Sequence, residues 1–118
     1  MKVTELLRAR DELNHMVEAI ERVHRYVQNL SHQGFLEDEK TQDAVLRNFV
    51  VLGKAAHNIE CHHATLAAAH PEVPWAELQA LCNRVAHEHF KVNCDLLWKT
   101  IHTDLPQLRT QIAALMTA

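Results

Sequence analysis

"TELLRARDELNHMVEAIERVHRYVQNL", residues 4–30, decides the fold. Leu6, Ala9, Leu13, Met16, Val17, Ile20, Val23, Val27 and Leu30 recur in steps of three and four. On a helix turning by about 100° per residue, that spacing draws one apolar stripe with charged residues behind it. A half-buried strand needs strict alternation, which the stretch lacks. A helix this long must bury its stripe against others, and the rest of the chain supplies them.

"SHQGF" at 31–35 interrupts the pattern, and Gly34 is free to take a left-handed turn there. A second stripe follows in Ala44, Val45, Phe49, Leu52, Ala55, Ala56 and Ile59. It continues through "ECHHATLA" and ends before "HPEVPW", where Pro71 and Pro74 forbid regular helix. A third helix starts near Pro74 or Trp75 and carries Leu78, Leu81 and Val85 inward. The fourth begins near Val92 and shows Cys94, Leu97, Trp98, Ile101, Leu105, Leu108, Ile112 and Leu115. Pro106 predicts a kink or a restart around Thr103–Pro106. Two long amphipathic helices and two shorter ones make an all-α, up-and-down bundle in one domain of 118 residues.

Composition agrees. Gly occurs twice and Pro three times, too few for a turn-rich β fold. The formal charge of −3 gives no global field to hold nucleic acid, so such contact requires a local patch or a second subunit. No apolar run reaches the roughly 20 residues of a membrane span, and the charged N-terminus is unlike a signal peptide. Cys61, Cys82 and Cys94 are odd in number and irregular in spacing, which points to reduced thiols and a cytoplasmic protein.

Ten histidines raise the question of a metal. His57 and Cys61 are four apart on one helical face, and His62 and His63 adjoin them. A zinc site needs about four ligands from two segments. No second pair of suitable spacing faces the first, so the simpler reading is a surface rich in solvated histidines. Cysteine nucleophiles fare no better. Cys61 and Cys94 fall on or beside apolar stripes, whereas Cys82 has polar neighbours in sequence. Two glycines cannot build a phosphate-binding loop.

The stretch "LCNRVAHEHF" (81–90) remains. Asn83 and His87 lie one turn apart on one face, with Phe90 following; Cys82, Ala86 and His89 form the adjacent strip. A histidine can move a proton near neutral pH, and an asparagine can orient a ligand beside it. Arg84 and Glu88, also four apart, suit an exposed ion pair. Spacing alone does not separate a site from a polar helix face.

Three further pieces carry a resemblance. "GFLEDEKTQDAVLRNFVVLGKAA" (34–56), "HPEVPW" (70–75), and Trp98 followed by "TIHTDLPQL" (100–108) occur in the order and spacing of the HepT-like family of the HEPN superfamily. The chain resembles that family over most of its length. The resemblance implies a four- to five-helix bundle that forms a homodimer and cuts RNA without metal or other cofactor. It also implies a partner, a minimal nucleotidyltransferase antitoxin that silences the toxin by adenylylating a motif tyrosine.

The family motif is Arg-Asn, three residues, His, one residue, Tyr. In register with Trp75 the arginine slot is position 82, Asn83 and His87 match, and the tyrosine slot is position 89. Here position 82 is Cys, position 89 is His, and the glutamate of the family's "GEA" is Lys54. A shifted register pairing Arg84 with His89 breaks the spacing from Trp75. The resemblance implies that His87 serves as acid or base and that the arginine holds the phosphate. Cysteine has neither the charge nor the donor fork for that. Losing one preorganised donor of this kind costs about 10²–10³ in rate. His89 has no phenolic hydroxyl to modify. Three readings stay open: an impaired ribonuclease, an inactive module that binds the nucleotidyltransferase, and a His/Cys metal-binding bundle.

Overall fold

The computed structural model describes residues 3–87 and 93–117. Six helices follow one another: α1 (Val3–Val27), α2 (His32–Leu36), α3 (Glu39–His62), α4 (Ala64–Ala69), α5 (Trp75–His87) and α6 (Cys94–Met116). The described residues contain no strand, so the all-α expectation holds. Its arrangement differs from two long helices and two short ones. Three helices of 25, 24 and 23 residues and a fourth of 13 form the bundle, and α2 and α4 are short connectors.

The stripe of α1 is buried as its spacing requires. Ala9, Leu13, Met16 and Ile20 are all fully inaccessible, against Phe35, Val45, Phe49, Ala56, Ile59, Ile101 and Ile112. α1 packs on both α3 and α6, and α3 packs on α5. The order around the bundle is therefore α6, α1, α3, α5, with α5 coming back beside α6. α6 runs antiparallel to α1: His24 reaches the carbonyl of Ile101 at 3.3 Å, and Arg109 donates to Glu21 at 2.8 Å.

Local chemistry sets the helix ends. α1 stops at Val27, three residues before the apolar spacing gives out. Ser31 then caps α2 by accepting from the N–H of Gly34 at 3.0 Å. Gly34 is thus inside a helix, and no described glycine has positive φ, which corrects the left-handed turn expected there. Its value lies in space: a Cβ at Gly34 would meet the Ser31 hydroxyl at 3.2 Å. Asp38 opens α3, accepting from the backbone N–H of Thr41 at 3.0 Å and from its hydroxyl at 2.7 Å. Both bonds favour the carboxylate and hold the Asp38 pKa below its usual value.

The second apolar segment divides at His63, which ends α3 and begins α4. In "HPEVPW" the two prolines force the chain around while Val73 and Trp75 turn inward, 1% and 5% exposed. The Trp75 indole closes the turn by donating to the His70 carbonyl at 3.1 Å. α6 runs unbroken through Pro106, so of the kink or restart expected near residues 103–106 the restart does not occur. Nearby hydroxyls fold back onto the ladder, Thr103 onto Lys99 at 2.7 Å and Thr110 onto Pro106 at 3.1 Å.

α3 and α5 approach closely at Gly53. A Cβ built on Gly53 would lie 2.6 Å from the Cβ of Cys82 and 3.5 Å from its sulfur. Only a residue without a side chain lets the helices meet here. Cys82 fills the seam and is 2% exposed, despite its polar neighbours in sequence. Cys61, expected beside an apolar stripe, is exposed, and Cys94 is half-buried. Leu78 is buried as expected, while Leu81 and Val85 are only half-buried.

Gly53→Ala is expected to destabilise by about 1–3 kcal/mol despite alanine's better helix propensity, measured as a lower midpoint in urea unfolding. Burial also pushes the Cys82 thiol from 9.0 up to about 12. In native protein at pH 8 a maleimide should label Cys61 rapidly and Cys82 only after denaturant is added. The unfolded chain releases this proton first, so the stabilising contribution is intact below 9.0 and declines as pH rises towards about 12.

Candidate functional site

α5 carries the candidate motif, and its neighbours divide it into two flanks. Gly53 faces Cys82, and His57 Nδ1 lies 3.1 Å from Gln79 Oε1. Numbers rise on α3 as they fall on α5, so the two helices are antiparallel. Each residue on a right-handed helix turns by about 100° from the last. For two facing antiparallel helices, the residue after each seam position therefore swings to the same side. Those residues are Lys54 and Asn83, and both are exposed. Val50 and Arg47, one and two turns before Lys54, share that flank and are also exposed, Val50 at 42%.

A chain of polar contacts extends this flank by one turn. Gln79 uses its amide N–H groups on Glu60 and, at 3.0 Å, on the Trp75 carbonyl. Its Oε1 is left to accept from His57 Nδ1. That places the ring proton on Nδ1 and turns the Nε2 lone pair towards Cys61 Sγ, 3.4 Å away. The shared face of His57 and Cys61 is thus a real contact. Yet no group of three His, Cys, Asp or Glu that could hold a metal occurs among the described residues. Gln79 was not singled out in the sequence, although it lies four residues before Asn83 on the same face of α5.

The opposite flank of α5 differs in charge. A groove of about 280 Å³ lies between α5 and α6, floored by Leu78, Leu81, Leu105 and Leu108. Glu72, Glu77 and Asp104 line it. Three carboxylates repel a polyanion, whereas the Asn83 flank presents Arg47 and Lys54. The Asn83 side is thus the flank that carries basic side chains, and the groove is the acidic one.

The four motif positions have separate fates. Asn83 is exposed on α5. Cys82 is sealed in the α3–α5 seam, neutral and without access to a ligand. His87 is the last residue of α5, two turns beyond Gln79 in the helical register. His89 lies outside the described residues, as do Phe90 and the Glu88 end of the Arg84–Glu88 pair. Trp98, a candidate for core or interface, is half-buried on α6, stacked on His32 at a centroid distance of 5.6 Å and an interplanar angle of 2°. No described helix is long and apolar enough to cross a membrane.

Known proteins are similar to this chain over most of its length. The chain is 36% identical over 100 residues to a protein of Thermococcus cleftensis named "Probable ribonuclease HepT", spanning 85% of this chain and 88% of that one. It is 27% identical over 107 residues to "Putative RNase TTE0752" of Caldanaerobacter subterraneus subsp. tengcongensis, spanning 91% and 93%. No solved structure matches it. The ribonuclease HepT-like family profile matches residues 16–115, a span that includes α3, the turn at Trp75 and the whole of α5. The chain belongs to the HepT-like ribonuclease family.

Proposed function

We propose that this protein is the toxin of a toxin–antitoxin pair, a metal-independent endoribonuclease that works as a cytoplasmic homodimer with its activity reduced by Cys82. Family membership across residues 16–115 is the observation that carries this reading. The exposure of Asn83 on the cationic flank of α5 supports it.

The chemistry assigned to the motif is phosphoryl transfer within RNA. A ribose 2′-oxygen attacks the adjacent phosphorus, a new P–O bond forms, and the bond to the 5′-oxygen breaks. His87 of one protomer takes the 2′-hydroxyl proton, and His87 of the second gives a proton to the departing oxygen. Asn83 donates to a phosphate oxygen and orients it. No metal is required, because two imidazoles in opposite protonation states balance the protons.

What the chain lacks is the arginine. Its slot holds a buried, neutral thiol that touches Gly53 rather than solvent. An arginine introduced there keeps the same Cβ position, and its long stem has to run along the seam before its head reaches the Asn83 flank. The partner in this reading is a minimal nucleotidyltransferase antitoxin, and His89 removes the hydroxyl that it would modify.

Cleavage of a mixed-sequence RNA in the presence of EDTA tests the proposal. The parent is expected to cleave slowly, Cys82→Arg about 10²-fold faster, and His87→Ala in the Cys82→Arg background to lose that gain. Circular dichroism on each variant separates lost chemistry from lost fold. If parent and Cys82→Arg are both folded and equally inert, the ribonuclease reading fails. A nucleotidyltransferase that co-purifies with such an inert protein would leave the binding module in its place.

A further inference from the structure

We propose that Lys54, on α3, supplies the phosphate-holding cation that position 82 on α5 no longer provides. The inference rests on the ribonuclease reading above and names the residue through which this copy grips its RNA.

Three observations meet at Lys54. The Gly53–Cys82 contact and the His57–Gln79 bond set α3 and α5 antiparallel, so Lys54 and Asn83 emerge on the same side of one seam. Both are exposed. Lys54 forms no ion pair among the described residues, whereas Arg22 and Arg109 on other helices are each paired with a glutamate. Its charge is therefore available to an anion beside Asn83.

The alternatives are weaker. Arg84 follows Cys82 by two residues and turns about 200° from the seam, onto the outer face of α5. Arg47 lies about two turns from the crossing, near the edge of the same flank. Cys82 is buried and uncharged. Lys54 starts one residue from the crossing, where a phosphate held by Asn83 would lie. A lysine offers a point charge on a flexible stem, not the two-pronged fork of arginine. It would bind phosphate well but orient it less strictly, so the parent is expected to bind RNA better than it cleaves it.

Fluorescence anisotropy with a labelled single-stranded RNA, read across a range of salt concentrations, tests this apart from cleavage. Lys54→Ala is expected to weaken binding about tenfold and to reduce the slope of log K against log salt by about 0.7, one phosphate contact. Lys54→Arg should restore both, and Lys54→Glu should weaken binding further. In the Cys82→Arg protein the same Lys54→Ala change should matter less than about threefold, because the new arginine serves the same phosphate. Parent protein that binds RNA with a Lys54→Ala variant of unchanged affinity and slope overturns this inference and leaves the ribonuclease reading standing. Parent protein that neither binds nor cleaves RNA overturns both.

Discussion

The backbone-close crossing of α3 and α5 at Gly53 and Cys82 is the constraint on which the candidate site depends. A helix pair normally keeps its axes 8–10 Å apart because side chains stand between them. Here one helix contributes no side chain, and the other contributes a small, soft one. The result fixes rotation as well as distance. With position 82 turned into the seam, position 83 must turn out of it, and Lys54 turns out on the same side. The geometry that hides the sulfur of Cys82 is the geometry that presents Asn83.

The same rotation gives α5 two unlike flanks. One looks across an apolar groove to α6 and is lined by Glu72, Glu77 and Asp104. The other carries Asn83 and adjoins Arg47 and Lys54 of α3. A chain with net charge −3 has no overall attraction for RNA, so this local division has to serve instead. The polar chain from Glu60 through Gln79 to His57 and Cys61 lies along the cationic flank and ties α3 to α5 one turn beyond the crossing.

Most of the bundle was legible because its stripes are long. Eight apolar positions in register on α1 require a buried helix, and the prolines of "HPEVPW" mark the turn before Trp75. The failures share a cause: single residues whose role depends on contacts that apolar spacing does not reveal. Gly34 looked like a turn glycine, but the cap from Ser31 makes it helical. Pro106 allowed a kink or a restart, and α6 does not restart there, being held on both sides by Ile101, Leu105, Leu108 and Ile112 in the core. Cys82 and Cys61 exchanged places, since polarity of sequence neighbours says nothing about which face meets α3. The spacing Leu78, Cys82, Val85 was itself a helical stripe and could have put Cys82 inside. Asn83 was identified through its spacing and family register, whereas Gln79 had no motif to mark it. His89 falls outside the described residues.

Stability coupling between positions 53 and 82 tests the crossing most directly. Gly53→Ala is introduced into the parent and into a Cys82→Gly protein, and unfolding free energies are compared as a double-mutant cycle. The seam predicts a change of sign. The added methyl destabilises the parent, but with the Cys82 side chain gone only the Cα of residue 82, at 4.0 Å, remains of its three nearest neighbours, an ordinary contact; the methyl then stabilises through helix propensity, by up to about 1 kcal/mol. Equal effects of Gly53→Ala in the two backgrounds would contradict a direct contact, and with it the rotation that sets Lys54 beside Asn83.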